Sequence, residues 1–149
     1  PGTVSDTFHG RDWFGPVAGH LAGGVPFEEV GPAVAEIAKL PRVRPHREGG
    51  DLVGSVVYVD HYGNVLTNLT HADLTAAFPA GGRLQIQVDG GNPATAPWVR
   101  TYSDVARGEL LVTTHNAEGT AEVAINYGNA GEQLQVRPGA TIRFRAARE

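Results

Sequence analysis

The sequence predicts a mainly β protein: a small antiparallel β-barrel or sandwich over residues 51–149, preceded by a helical stretch over residues 1–50. Three observations predict it. The apolar period changes to two at Asp51. Short alternating runs then recur along the rest of the chain: 53–60, 65–68, 84–88, 96–101, 109–114, 121–126 and 141–146. Turn chemistry separates them, with Tyr62-Gly63-Asn64, Asp89-Gly90-Gly91-Asn92, Glu118-Gly119 and Pro138-Gly139 at the breaks. Short strands at this spacing belong to sandwiches and barrels.

Upstream, Asp12 is placed to cap a helix with Phe14, Val17, Ala18 and Leu21 on its apolar side, ended by Gly23-Gly24. A second helix is expected from Pro32 to Leu40, with Val34, Ile37 and Ala38 on one face and Pro32 in its first turn. The stretch through Pro41, Pro45 and Gly49-Gly50 reads as a linker. Two short helices and a loop bury little by themselves, so residues 1–50 pack on the β domain or are the end of a preceding domain. Within the β region one short helix is expected over 71–78.

Composition narrows the function. The chain has 149 residues, 41% hydrophobic and 19% charged, with a formal net charge of −4. That balance argues against nucleic acid, whose phosphates demand a basic surface. Arg42, Arg44, His46 and Arg47 read as a solvated linker cluster, and Arg143, Arg145 and Arg148 as the outer face of a last strand. The apolar runs are far too short to cross a bilayer, and no leader is evident, so a cytoplasmic location is expected. Cysteine is absent, which removes disulfides and thiolate metal sites. The six histidines show no ligand spacing, so no metal and no cofactor is expected. Methionine is absent too, and a chain opening Pro1-Gly2-Thr3 is expected to be processed, trimmed or partial.

Polar clusters are the candidates for chemistry. Thr7-Phe8-His9-Gly10-Arg11-Asp12 puts an imidazole beside a helix N-terminus, where free N–H groups can polarise a water. Its structural alternative is a capping Asp12 and an Arg11 paired with a carboxylate. Asp60-His61-Tyr62-Gly63-Asn64 can bind an amine and hydroxyls, or satisfy its own turn. His115-Asn116-Ala117-Glu118-Gly119 is a polar hairpin, and Asn126 and Asn129 flank Gly128 in another turn. Taken singly, each favours the structural alternative.

Together they resemble a family. Residues 7–18 resemble the end of the N-terminal domain of the SAM hydroxide adenosyltransferases, relatives of the fluorinase and chlorinase. Gly54 through Asn68 resembles the start of that family's C-terminal β domain. Thr101-Tyr102-Ser103-Asp104 with Gly108-Glu109, and then Gly119 through Ala130, resemble its later motifs in the same order. The resemblance implies that residues 1–50 are the helical end of an α/β N-terminal domain plus linker. It implies hydrolysis of S-adenosyl-L-methionine (SAM) to adenosine and L-methionine, since His9-Gly10 matches the hydrolases where halide-using members carry Tyr. By the same resemblance His9 belongs to a water-activating set whose Asp and Arg partners lie upstream. Phe8 and Gly10 line the pocket beside the reacting carbon, and Asp60 takes the methionine ammonium. Tyr62 is an aromatic against the ligand, Asn64 reaches an adenine nitrogen, Tyr102 stacks on adenine, and the backbone at Ile125, Asn126 and Tyr127 reads the adenine edge. Ala117 stands where relatives carry a Ser toward the methionine carboxylate, and Leu66 where the fluorinase carries Trp. The implied partners are SAM, adenosine and methionine, a missing N-terminal domain, and neighbouring subunits of a homotrimer. The chain alone is then expected to be inactive. A non-catalytic SAM- or adenosine-binding module and a halide-using enzyme are the alternatives.

Overall fold

The structure is a computed structural model that describes residues 4–39, 43–79 and 82–147. Residues 1–3, Leu40, Pro41, Arg42 and Arg148, used in the sequence reading, lie outside the described residues. The chain divides into two compact units, Pro1–Pro41 and Arg42–Glu149.

In the first unit a π-type turn, Gly10–Phe14, runs into helix α1, Gly15–Ala22, with Pro16 in its first turn. Asp12 does not cap it, contrary to expectation. Its carboxylate lies inside the turn and accepts from Ser5 N at 2.8 Å and from Arg11 Nε at 2.5 Å. The helix expected over 32–40 is absent from the described residues 32–39, and a single 3₁₀ turn, Phe27–Val30, precedes that stretch instead. Val34 and Ile37 are exposed, so no burial offsets the cost of nucleating a helix this short.

Among the described residues the second unit has eight strands: β1 (His46–Glu48), β2 (Asp51–Val59), β3 (Val65–Thr70), β4 (Arg83–Val88), β5 (Ala94–Pro97), β6 (Leu110–Thr113), β7 (Thr120–Ile125) and β8 (Thr141–Ala146). The order is β5-β4-β8-β2-β3-β7-β6, all antiparallel, with β1 on the edge of β2. A parallel bridge from Trp98 to Val112, with Val99 N donating to Val112 O at 2.9 Å, brings the two ends of the sheet together. The sheet is thereby nearly closed into a barrel, one of the two architectures the strand spacing predicted.

Strand β2 makes the barrel possible. Its first half, Leu52–Ser55, pairs with β8, and from Val56 onward it pairs with β3. A register shift between Val56 and Tyr58 marks the bend, the usual device for turning a strand through a barrel corner. Inward residues Val56, Val65, Leu69, Leu84, Ile86, Val112, Val123, Ile142 and Phe144 fill the interior. Helix α2 (His71–Ala77) closes over it with Leu74 and Phe78, and starts in a capping box between Thr70 and Asp73.

Three local readings change. His46–Glu48 is a strand and not linker, because Gly49 (φ 56°) and Gly50 (φ 93°) form a two-residue hairpin turn that only residues tolerant of positive φ adopt easily. The strand expected over 96–101 runs from Ala94 to Pro97, since proline cannot donate to the ladder. A short helix α3, Ala130–Gln133, follows Asn129, whose side chain accepts from Glu132 N at 2.9 Å.

Candidate functional site

Two polar turns and one capped turn of the β unit converge on an open concavity of about 510 Å³. It is lined by Tyr62, Asn64, Tyr102, Ile125, Asn126, Tyr127 and Gly128.

The first wall comes from the turn between β2 and β3. Asp60 organises it: one carboxylate oxygen accepts from Tyr62 N at 2.8 Å and Asn64 N at 2.9 Å, and the other from Asn64 Nδ2 at 2.9 Å. This is an Asx-type turn. A carboxylate has about four lone-pair positions, so three contacts leave room for one more donor. Gly63 sits in the turn at φ 86° and is packed so closely that a Cβ would lie 2.0 Å from Asn129 Oδ1. Its carbonyl accepts from Gly131 N at 2.9 Å and joins this turn to the next wall.

That second wall is the turn after β7. Asn126 is tied to the neighbouring loop: its N–H donates to Glu109 O at 3.0 Å, its C=O accepts from Gly108 N at 2.7 Å, and Nδ2 donates to Val105 O at 2.9 Å. Tyr127 follows in the left-handed region at φ 57°, unusual for a residue with a side chain. Its ring is 79% exposed and carries the Arg107 guanidinium 4.0 Å above it. Among the described residues no protein group takes the Tyr127 N–H, so Tyr127 has a backbone donor to offer.

The third wall is Tyr102, in the 3₁₀ turn Tyr102–Asp104. Thr101 and Asp104 close a capping box around it: Ser103 N donates to Thr101 Oγ1 at 3.2 Å and Thr101 N to Asp104 Oδ2 at 3.0 Å. The Tyr102 hydroxyl donates to Glu122 Oε1. Burial first, and then the Glu122 hydrogen bond and the charges of Glu122 and Asp60, push the phenol well above its ordinary range. It stays protonated at neutral pH.

Tyr62, Asn64, Tyr102, Ile125, Asn126 and Tyr127 lie on this rim or floor. Asp60 stands behind Tyr62 and Asn64. Ala117 is exposed in the β6–β7 turn, next to Asn116. Phe8, His9 and Gly10 belong to the first unit. There His9 opens the π-type turn in helical conformation with no side-chain cap bond, and Phe8 lies under the Arg11 guanidinium. Two residues of the site were not assigned a role by the sequence reading. Glu122 had a visible signal, a carboxylate in the middle of Thr-Ala-Glu-Val-Ala-Ile, all buried from Ala121 to Ile125. Arg107 had none, because only the fold brings it to Tyr127; Asn129 was read as a turn residue, and the fold adds its contact with Gly63. Among the described residues no group of three or more His, Asp or Glu could hold a metal ion, and no helix is long and apolar enough to cross a membrane.

Residues 54–143 match the family model described as the SAM hydroxide adenosyltransferase C-terminal domain. A protein of Salinispora tropica named (R)-S-adenosyl-L-methionine hydrolase is 42% identical over 147 residues, covering 96% of this chain and 52% of the relative. A protein of Nocardia brasiliensis named Fluorinase is 30% identical over 150 residues, covering 97% and 50%. The crystal structure of an uncharacterized conserved protein from Thermotoga maritima superposes with a TM-score of 0.80 at 34% identity, over 98% of this chain and 55% of that one. The chain spans about half the length of the curated relatives it matches.

Proposed function

Because the chain belongs to the SAM hydroxide adenosyltransferase family by its C-terminal domain, we propose that it forms the adenine-holding part of an enzyme that hydrolyses SAM to adenosine and L-methionine. The observation that carries this reading is the concavity itself: three tyrosine rings, Tyr62, Tyr102 and Tyr127, around an Ile125 floor, with the Asn64 amide on the rim. A purine needs flat apolar faces and a few edge donors and acceptors, and this rim supplies both.

In this reading Tyr102 stacks on the adenine, the Asn64 side chain and the Tyr127 N–H meet its edge, and the remaining lone pair of Asp60 takes the methionine ammonium. The reaction is a displacement at C5′. Water oxygen bonds to C5′ as the C5′–S bond breaks, and its electron pair returns to sulfur, giving the neutral thioether of methionine. A water proton passes to His9 and on to solvent. The sulfonium is already a good leaving group, so the chemistry calls for no cofactor. What it needs is water held in line, and a positioned base adds about 10²–10⁴-fold. His9, Phe8 and Gly10 enter the cleft in an assembly that also includes the upstream domain and neighbouring subunits.

The test is turnover by the complete protein. Incubated with SAM, it should release adenosine and methionine, and His9→Ala should lower kcat by about 10²-fold or more. The 149-residue chain should bind adenosine without hydrolysing SAM. A complete protein that leaves SAM intact, or that works equally well without the imidazole, would refute the proposal.

A further inference from the structure

We infer that Glu122 is a positioning residue: its carboxylate, itself held by Asn116, clamps the Tyr102 ring in the orientation the cavity requires. The inference rests on the reading of that cavity as the adenosine site.

Glu122 occupies the middle of β7, opposite Leu66 on β3 and Thr113 on β6. Ala121, Val123 and Ile125 belong to the core, so strand alternation turns Glu122 away from it, toward the segment that carries Tyr102. The residue is only 6% exposed. A carboxylate is an expensive choice at such a place, and a shape-matched apolar residue would hold a strand as well or better. Its cost is met by two donors. Tyr102 donates to Oε1, and Asn116 Nδ2 donates to Oε2 at 3.1 Å.

Asn116 has no freedom to do otherwise. Its Nδ2 also donates to Thr120 O at 2.9 Å, and its Oδ1 accepts from Thr120 N at 3.1 Å, so the backbone fixes which end of the amide faces Glu122. Each Glu122 oxygen therefore faces its own donor, Oε1 the Tyr102 hydroxyl and Oε2 the Asn116 amide. Tyr102 is then pinned at both ends, at its backbone by the Thr101–Asp104 capping box and at its hydroxyl by Glu122. A ring immobilised before the ligand arrives spares the ordering cost that a free side chain pays on binding. Glutamine at 122 can keep its oxygen toward the locked Asn116 NH₂ only by turning its own NH₂ toward the Tyr102 hydroxyl, which must then accept instead of donate, so a hydrogen bond to a carboxylate is replaced by a weaker neutral one.

A double-mutant cycle tests this, with adenosine affinity of the 149-residue chain measured by calorimetry for the parent, Glu122→Gln, Tyr102→Phe and the double variant. Each single change should weaken binding about 5- to 10-fold, and the double change should be no worse than the weaker single, because both remove the same bond. In parallel, NMR of chains labelled at tyrosine Cζ follows the four phenols during alkaline titration. One should ionise late in the parent, move earlier in Glu122→Gln and be missing in Tyr102→Phe. A Glu122→Gln loss that persists in full without the Tyr102 hydroxyl would overturn the inference, as would four phenols that ionise together in the parent. Should Glu122→Gln fail to fold, Asn116→Ala takes its place and should weaken adenosine binding in the parent but not in Tyr102→Phe; a loss of equal size in both would overturn the clamp. If no protein of the set binds adenosine while the late phenol is still released, the clamp is supported and the nucleoside reading fails.

Discussion

Gly63 is the residue on which the two walls of the cavity meet. Two independent constraints act there: a φ of 86°, and a neighbour 2.0 Å from where a Cβ would stand. Asn129 cannot simply swing aside, because its side-chain oxygen caps α3. Gly63→Ala should cost about 2 to 4 kcal/mol, read as a lower urea midpoint, and should weaken adenosine binding as the walls part. The role of Asp60 is graded differently. Its turn-forming bonds were legible in Asp-x-x-x-Asn as an ordinary Asx arrangement. That reading and the ligand reading are compatible here, since three accepted bonds leave a lone pair unclaimed.

At the scale of elements, local chemistry and tertiary pairing divided the work. The helix over residues 71–77 was legible because Thr70 and Asp73 form a capping box and Leu74 faces the core. Thr70→Ala should lower stability by about 1 kcal/mol in urea denaturation and leave adenosine affinity unchanged, because α2 lies away from the residues that line the cavity. The helix expected over 32–40 shows the reverse. A plausible apolar stripe with nothing to bury it against does not form. Gly49-Gly50 reads equally as flexible linker or as hairpin turn, and only the pairing of His46–Glu48 with Asp51–Val53 decides between them.

For the molecule as a whole, strand ends far apart in sequence are tied by charge as well as by the ladder. Arg145 on β8 grips Asp51 on β2 with two hydrogen bonds, 2.6 Å and 2.9 Å. The Arg145 hydrogen bond holds the Asp51 carboxyl below the usual carboxylate range, more than its burial raises it. Because the folded value lies below the unfolded one, near 3.9, the contribution is fully present above about pH 4 and is lost as pH falls through the lower folded value. Asp51→Asn should therefore flatten the loss of stability below about pH 4 in urea titrations at stepped pH. Near neutrality it should cost about 1 kcal/mol, since Arg145 is exposed enough to rehydrate.

The sequence by itself determined a mainly antiparallel β fold, the spacing of most strands and the turn residues, because period-two alternation and Gly, Asn and Asp at breaks are local consequences of backbone sterics; the choice of barrel over sandwich came with the Trp98–Val112 bridge. It also carried the ordered motifs that single out Tyr62, Asn64, Tyr102 and the 125–127 turn. Only the tertiary structure decided that these turns share one concavity, that Asn129 lies beneath Gly63, that Arg107 covers Tyr127 and that Glu122 holds Tyr102. Those pairings join turns and a strand that lie apart along the chain, and their distances are set by how the sheet closes, which no local pattern encodes.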